Sequence, residues 1–222
     1  MPVGTIYGIG KNYAAHAREM GGEVPASPMV FIKPPAAFVN AAPSDNAQTP
    51  HLSLTNNLHY EVELVVVIGS DCRNLPKSEA ASVIAGYAVG LDMTLRDLQS
   101  EAKTSGSPWA VAKGYAGSAP CSQIIPADDL AQYPEFQLEL YVNDTLRQQG
   151  STRQMERDVA TLIAYLSTVF TLRKGDCIFT GTPEGVGRVV AGDRIYARLS
   201  HPEMTSLDLS VVVVVSHFDK TV

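Results

Sequence analysis

The sequence has few of the features that mark secreted or membrane proteins. It contains three cysteines among 222 residues, and these lie far apart, at Cys72, Cys121 and Cys177, without a CxxC pair. Such spacing favours reduced thiols in a cytoplasmic protein over a disulfide framework. The longest apolar runs, residues 64–69 and 211–215, are too short to span a bilayer, so they predict buried strands.

Positive charge is also scarce. The chain has 17 Lys and Arg residues against 23 Asp and Glu residues, a formal net charge of -6, and no basic run. Nucleic-acid binders normally present a positive face, so that class of function is not expected. The first ten residues lack a charged segment followed by a long apolar segment, so we expect no signal peptide. An anionic substrate would need a metal or a local cluster of cations to reverse the field inside its site.

The hydrophobic patterning predicts one β-dominated α+β domain over residues 1–222, because strands outnumber helices and do not alternate regularly with them. Strands are predicted at residues 5–8, 30–33, 59–69, 86–93, 136–142, 146–148, 177–180, 194–199 and 207–215. Helices are predicted from a cap at Asn12 to residue 20, at 76–84, from a Thr94–Asp97 capping pair to residue 104, and at 155–170. Residues 40–57, which are rich in Ala, Pro, Asn, Ser and Thr, predict a loop.

Three acidic residues are the most informative feature. Glu61 and Glu63 alternate within a strand, so they share one face at a separation of about 6.7 Å. Asp92 ends a second apolar segment. Like charges on a buried strand are tolerated if a cation lies between them or if one is protonated, and oxygen ligands without His or Cys favour Mg²⁺ or Mn²⁺. The alternative is an edge strand on which both glutamates face water.

Several motifs, in a fixed order, resemble the fumarylacetoacetate hydrolase family. They are HxExEL, GYxxxLDMTLRDxQ, PWxxAK and GDxxxTGTPxGVG, preceded by GKNYAAHAREMG and PMVFIKP. The match covers residues 7–209 and is closest to the small, single-domain branch of acylpyruvases, oxaloacetate decarboxylases and fumarylpyruvate hydrolases. The resemblance implies a mixed β-roll, a homodimer, and Mg²⁺ or Mn²⁺ bound by Glu61, Glu63 and Asp92.

The same resemblance assigns catalytic roles to three residues. His16 and Glu19 lie at i and i+3, so they share a helix face, which is by itself also typical of a solvated surface. The family match makes them the hydrolytic base, carried on a lid over residues 12–24. Lys113 follows an apolar segment and is assigned to stabilise enolate charge. Many relatives have Lys-Ser-Phe here, whereas this chain has Lys113-Gly114-Tyr115.

Six further residues are predicted to bind the substrate. By resemblance Gln99 contacts it, and Arg96 orients the lid or the substrate carboxylate, although both are also compatible with a plain helix surface. Gly181 and Thr182 offer backbone N–H groups and a hydroxyl to a carboxylate, or form an ordinary turn before Pro183. The two weaker candidates are Lys33 and Tyr13.

These features together predict a Mg²⁺-dependent enzyme for a small anionic 2-keto acid. The main hypothesis is hydrolysis of a C–C bond in an acylpyruvate or fumarylpyruvate. Oxaloacetate decarboxylation or tautomerisation, and isomerisation of an unsaturated dicarboxylate, are the alternatives. A metal-binding module without catalytic activity is a third possibility, less consistent with the His16–Glu19 pair and Lys113.

Overall fold

The computed structural model describes residues 2–43, 47–52, 57–130, 133–202, 204 and 206–216. The strands in these ranges are β1 (Ile6–Gly10), β2 (Met29–Lys33), β3 (Phe38–Asn40), β4 (Ala47–Leu52), β5 (Leu58–Tyr60), β6 (Val62–Ile68), β7 (Ile84–Leu91), β8 (Thr94–Leu95), β9 (Ala119–Cys121), β10 (Ile125–Pro126), β11 (Gln137–Val142), β12 (Thr145–Ser151), β13 (Cys177–Phe179), β14 (Gly187–Val189), β15 (Arg194–Ser200) and β16 (Leu207–Ser216). The α-helices are α1 (Ala14–Glu19), α2 (Arg96–Ser105), α3 (Ala110–Lys113) and α4 (Val159–Val169). Short 3₁₀ helices span Pro35–Ala37, Lys77–Val83, Ala127–Asp129 and Thr152–Gln154.

Within the described residues the strands form three sheets. The largest has eight strands in the order β2-β1-β13-β6-β7-β9-β3, with β10 paired to β7. The second has the order β12-β11-β15-β16-β4, and the third has the order β14-β5-β8. Parallel and antiparallel pairs both occur, since β1 is parallel to β13 and antiparallel to β2. The predicted β-dominated, mixed fold is therefore confirmed.

Strand β6 is buried on both faces, which explains its continuous apolar sequence. Val62, Leu64 and Val66 belong to the main hydrophobic core, to which β11 and β15 of the second sheet also contribute. Val65 and Val67 point to the opposite face and join a smaller apolar cluster. One face of β6 therefore packs in the main core, and the other face packs against the smaller apolar cluster. Glu61 and Glu63 lie on the side of the smaller cluster.

The loop prediction for residues 40–57 was wrong in part. Residues 47–52 form β4, which pairs in parallel with β16. Proline is tolerated there because β4 is the edge strand of its sheet. The composition of the segment indicated a loop, but pairing with a strand distant in sequence determines its structure. Residues 44–46 and 53–56 lie outside the described part of the chain.

Two predicted helix starts were also wrong. Tyr13, not Asn12, is the N-cap residue of α1. The Asn12 side chain instead donates to the carbonyl oxygens of Thr180 and Arg157, at 2.8 and 3.0 Å. Helix α2 begins at Arg96, because the predicted capping residue Thr94 lies in β8. In both cases the side chain that the sequence pattern predicted as a helix cap forms a hydrogen bond with a residue distant in sequence instead.

Two other elements differ in type or continuity. Residues 77–83 form a 3₁₀ helix where an α-helix was predicted. The strand predicted over 59–69 is broken at Glu61 into β5 and β6, which belong to different sheets. None of the described helices is long and apolar enough to cross a membrane.

Candidate active site

The three predicted metal ligands lie together at one end of the large sheet. Glu61, Glu63 and Asp92 are all buried, and each offers a carboxylate oxygen within 4.8 Å of those of the other two. The antiparallel register explains this convergence. Val62 pairs with Leu91, so Glu61 just before β6 lies opposite Asp92 just after β7, and the Asp92 N–H donates to the Glu61 carbonyl oxygen at 2.8 Å.

Three cations compensate part of this negative charge. The Lys113 ammonium donates to Glu61 Oε2 at 2.8 Å, to an Asp92 carboxylate oxygen, and to Thr94 Oγ1 at 2.6 Å. Lys33 Nζ lies 2.7 Å from Asp92 Oδ1. Burial would raise the pKa of Glu61, but the Lys113 and Arg96 charges hold it well below its usual value. Glu61 is therefore ionised.

Arg96 is held in place by three groups. Its guanidinium donates to a Glu61 carboxylate oxygen, to Gln99 Oε1 at 2.7 Å, and to His59 Nδ1 at 3.5 Å. Burial and the Arg96 charge lower the pKa of His59 to about 4, so His59 is neutral at physiological pH and accepts this hydrogen bond. Since Gln99 uses its oxygen for Arg96, its amide nitrogen remains as a donor.

Glu63 differs from the other two carboxylates because no cation pairs with it among the described residues. One of its oxygens accepts a hydrogen bond from the Gly181 backbone N–H at 2.7 Å. Burial and the charges of Asp92 and Glu61 raise the pKa of Glu63 well above its usual value. A hard divalent cation would relieve this repulsion, and three carboxylates without His or Cys are a ligand set suited to one.

Helix α1 brings the predicted catalytic pair to this cluster. His16 Nδ1 lies 3.2 Å from Glu19 Oε2, and His16 is buried. The other Glu19 oxygen accepts from the Gly185 N–H at 3.0 Å, which ties the end of the helix to the loop after β13. Glu19 therefore both orients His16 and anchors the predicted lid.

One cavity connects these groups. It is lined by all three carboxylates and by other residues that include His16, Arg96, Gln99, Lys113 and Thr182. Its free volume is about 30 Å³, which is room for ordered water and too little for a whole 2-keto acid. Side chains or the predicted lid would shift to admit a substrate.

Three predicted substrate-binding residues, Lys33, Tyr13 and Gly181, lie behind the residues that line the cavity. The Lys33 amino group is fully buried, and its other acceptors are the Met93, Lys113 and Ser118 carbonyl oxygens and the Ser118 hydroxyl. Tyr13 is buried too, and burial together with the Glu63 charge raises its pKa. The Gly181 N–H holds Glu63. The contacts of Lys33 and Gly181 favour a role in supporting the carboxylates over direct substrate contact.

Sequence reasoning missed several residues of the site. Gln148 is buried; it donates to Thr182 Oγ1 at 2.8 Å and accepts from the Val62 N–H at 3.0 Å. No local pattern marks it, because its partners are distant in sequence. Trp109, the single tryptophan of the chain, also lines the cavity. Its place in the PWxxAK motif was a signal that could have identified it.

Comparisons with known proteins agree with this geometry. The family model described as fumarylacetoacetate (FAA) hydrolase C-terminal matches residues 5–212. The chain belongs to the fumarylacetoacetate hydrolase family. Among curated members of the family, the rice (Oryza sativa subsp. japonica) protein named oxaloacetate tautomerase FAHD2, mitochondrial, is 44% identical over 196 residues, which are 88% of this chain and 86% of that protein.

Two bacterial members of the fumarylacetoacetate hydrolase family are similar over nearly their whole length. Oxaloacetate tautomerase YcgM of Escherichia coli (strain K12) is 41% identical, with 92% of each chain covered. The crystal structure of fumarylpyruvate hydrolase from Pseudomonas aeruginosa, in complex with Mn²⁺ and pyruvate, has a TM-score of 0.90 and 41% identity, and covers 97% of this chain and 91% of that one. The family thus includes both tautomerases and a hydrolase.

The structure explains one departure from the family pattern. A Cβ atom at Gly114 would lie 2.8 Å from the Ala110 carbonyl oxygen and 3.0 Å from Pro34 Cδ. Both contacts are tighter than side chains normally allow, so the serine found in many family members would force the segment to shift. Packing next to Lys113 therefore accounts for the glycine.

Proposed function

We propose that this member of the fumarylacetoacetate hydrolase family is a Mg²⁺- or Mn²⁺-dependent hydrolase. It would cleave a C–C bond in a 2,4-diketo acid, an acylpyruvate or fumarylpyruvate, to give pyruvate and a carboxylic acid. The observation that carries the proposal is the buried cluster of Glu61, Glu63 and Asp92 in one cavity with His16. The Mn²⁺ and pyruvate in the Pseudomonas aeruginosa structure support it.

The three carboxylates would hold the cation, and Lys33, Lys113 and the Gly181 N–H keep them in place. A bound divalent cation would act as a Lewis acid toward the carboxylate and keto oxygens of a 2-keto acid. Gln99, whose amide nitrogen is free to donate, would bind the substrate carboxylate. Thr182 would contribute its hydroxyl from the opposite wall of the cavity.

The His16–Glu19 pair would supply the base. With Glu19 accepting a hydrogen bond from the Nδ1–H group, the lone pair on Nε2 of His16 would be available to take a proton from water. The hydroxide equivalent would attack the carbonyl distal to the carboxylate, and the C–C bond would break with pyruvate leaving as its enolate. Lys113, a cation beside the carboxylate cluster, would lower the energy of the negative charge that develops on the pyruvate fragment.

Replacing Lys113 with Met is expected to separate metal binding from turnover. Lys113 shares Glu61 and Asp92 with the proposed cation, so its removal relieves repulsion and leaves Glu61 paired only with Arg96 and Asp92 only with Lys33. Affinity for Mn²⁺ should rise, while kcat falls by roughly 10²-fold because a charge near the reacting oxygen is lost. Calorimetric titration with Mn²⁺, combined with steady-state kinetics at saturating metal, measures both effects. A weaker affinity for Mn²⁺ would contradict this account of Lys113.

Oxaloacetate tautomerisation or decarboxylation is a second candidate function. It is favoured by the names of the rice and Escherichia coli relatives. Both reactions need an enolate but no attacking water. Tautomerisation would use His16 to move a proton on the substrate, whereas decarboxylation would need only the stabilised enolate. Isomerisation of an unsaturated dicarboxylate would use the site in the same way.

A panel of substrates tests the proposed function directly. We expect acylpyruvates or fumarylpyruvate to be cleaved to pyruvate in the presence of Mg²⁺ or Mn²⁺, and the activity to disappear on chelation and return when metal is added. Pyruvate release is measured with a coupled dehydrogenase, and enol–keto conversion of oxaloacetate by ultraviolet absorbance. Conversion of oxaloacetate without any pyruvate release from a 2,4-diketo acid would favour the second candidate. No metal-dependent turnover of any member would contradict both.

Three further features belong to the proposal. Residues 12–24 would act as a lid that opens to admit substrate, which the small cavity volume supports. The protein would be a homodimer, as the family resemblance implies. It would act in the cytoplasm on a small anionic 2-keto acid.

A further inference from the structure

The mouth of the active-site cavity carries more positive charge than the carboxylate cluster compensates. Four side chains lining the cavity are cations: Lys11, Arg96, Lys103 and Lys113. Arg96 and Lys113 form ion pairs with the carboxylates. Lys11 and Lys103 form no ion pair with any of the described carboxylates, although they line the same space.

Lys103 is placed by helix α2 and by an aromatic ring. It lies four residues after Gln99, so both side chains project from the same face of the helix toward the cavity. Its Nζ lies 5.1 Å from the centroid of the Trp109 ring, within the range of a cation–π interaction. The amino group is therefore directed toward the mouth of the cavity, although the residue as a whole is exposed.

Lys11 approaches from the other side, at the junction of β1 and the predicted lid. It adopts a left-handed backbone conformation with φ of 57°, which turns the chain sharply after β1. Its amino group lies so close to Gly22 that a Cβ atom there would clash with it. Lys11 thus passes along the end of the lid segment while its side chain lines the cavity.

The two lysines experience each other's charge. Partial burial lowers the pKa of Lys103, and the charges of Arg96, Lys11 and Lys113 lower it further. The Glu61 charge opposes this effect only in part. Cations that gather at one opening without an ion pair to any described carboxylate attract an anion from solution. A small acid whose first carboxylate and keto group lie at the inner cluster would extend its other end toward this opening.

We propose that Lys11 and Lys103 bind the second, distal carboxylate of a dicarboxylic 2-keto acid. The inference rests on the proposed function and narrows it, because it makes the preferred substrate doubly anionic and disfavours acylpyruvates with a neutral acyl group. Lys11 and Lys103 would be specificity-determining residues that do not contact the reacting atoms. Closure of the lid would bring Lys11 and Lys103 together around the distal carboxylate.

The test compares two ligands that differ in the distal carboxylate. 2-Oxoglutarate and 2-oxopentanoate have the same five-carbon chain and the same 2-keto acid end. Their binding to the Mn²⁺-loaded protein is measured by isothermal titration calorimetry for the wild type, Lys103→Met, Lys11→Met and the double variant. Lys103→Arg keeps the charge, and Lys174→Met removes an exposed lysine that does not line the cavity.

We expect the wild type to bind 2-oxoglutarate about tenfold more tightly than 2-oxopentanoate, which corresponds to roughly 1.4 kcal/mol. Each single Met substitution should weaken the binding of 2-oxoglutarate severalfold and change the affinity for 2-oxopentanoate by less than about twofold. The double variant should bind the two ligands with equal affinity. Lys103→Arg and Lys174→Met should retain it. The preference should also shrink as salt is raised, because Lys103 is solvent-exposed.

Two other results have distinct meanings. If the wild type binds both ligands with equal affinity, or if the Met variants lose equal affinity for both, the proposed distal site is wrong. Either result would still be compatible with binding of 2-keto acids at the inner cluster. Binding of neither ligand in the presence of Mn²⁺ would overturn the proposed function itself, and the distal site with it.

Discussion

Replacing Glu63 with Gln is expected to abolish turnover while leaving the metal-free protein at least as stable as the wild type. Glu63 is buried and pairs with no cation among the described residues, and its carboxylate faces Asp92 and Glu61. An amide keeps the hydrogen bond from the Gly181 N–H and removes the like-charge repulsion. The same change removes one of three proposed metal ligands, so metal affinity and every metal-dependent activity should be lost.

Glu61→Gln is the matched control, because it makes the same chemical change two residues away. Glu61 accepts hydrogen bonds from Lys113 and Arg96, so its neutralisation leaves two buried cations undercompensated. Breaking such a buried pair typically costs about 3–5 kcal/mol. For a chain of this size that lowers the melting temperature by roughly 6–20 °C. Both variants should lose activity, and only this one should lose metal-free stability.

The measurement is thermal unfolding of both variants with chelator and with excess Mn²⁺, together with activity at saturating metal. The wild type should gain stability from Mn²⁺, and neither variant should gain as much. If Glu63→Gln unfolds at a much lower temperature than the wild type without metal, then a cation compensates Glu63 in the free protein. The conclusion that Glu63, unlike Glu61 and Asp92, lacks a cationic partner would then be wrong. If it retains full activity, Glu63 is not a ligand of a catalytic metal.

The convergence of the carboxylates could be predicted only in part from the sequence pattern. Residues that alternate along a strand share a face, so Glu61 and Glu63 had to lie together. Asp92 was added to this pair because it ends a similar apolar segment and because of the family resemblance. The structure supplies the reason, since antiparallel pairing places the end of β7 beside the start of β6 and hence Asp92 beside Glu61. The alternation along the strand holds whatever the remainder of the fold is, whereas the approach of Asp92 depends on the register of β6 and β7.

The partners of the carboxylates could not be predicted in the same way. Lys33 is 59 residues from Asp92 in sequence, and nothing local distinguishes a lysine that ends fully buried from one on the surface. Gln148 and the Gly185 N–H depend on how other sheets and loops pack on the large sheet. The sequence pattern therefore predicted the acidic centre, whereas the tertiary fold determines which groups balance its charge.

The sequence pattern also predicted the wrong N-cap residues for α1 and α2, for a related reason. Asn12 and Thr94 are both good capping residues, but each forms a longer-range contact, Asn12 with the Thr180 carbonyl oxygen and Thr94 with the Lys113 ammonium. Both contacts support the site. The two side chains that did not follow the local capping pattern are thus among those that position the carboxylate cluster and the start of α1.

Replacing His16 with Ala should separate hydrolysis from metal binding and from oxaloacetate decarboxylation. His16 is not among the proposed metal ligands, and Glu19 keeps its hydrogen bond from Gly185 in the variant, so Mn²⁺ affinity should change little. Hydrolysis of an acylpyruvate should fall by roughly 10²–10⁴-fold, the usual effect of losing a positioned general base. In this mechanism Nε2 is the basic atom, because Nδ1 faces Glu19.

Oxaloacetate decarboxylation provides the comparison on the same variant, because it needs the enolate but no attacking water. At saturating Mg²⁺ the His16→Ala enzyme should retain more of its decarboxylase activity than of its hydrolase activity. Both rates are measured on one preparation, so differences in folding or metal content cancel in their ratio. An equal fall in the two rates would mean that His16 positions substrate or closes the lid, and its assignment as the hydrolytic base would then be wrong. A rate of hydrolysis equal to that of the wild type would remove His16 from the mechanism altogether.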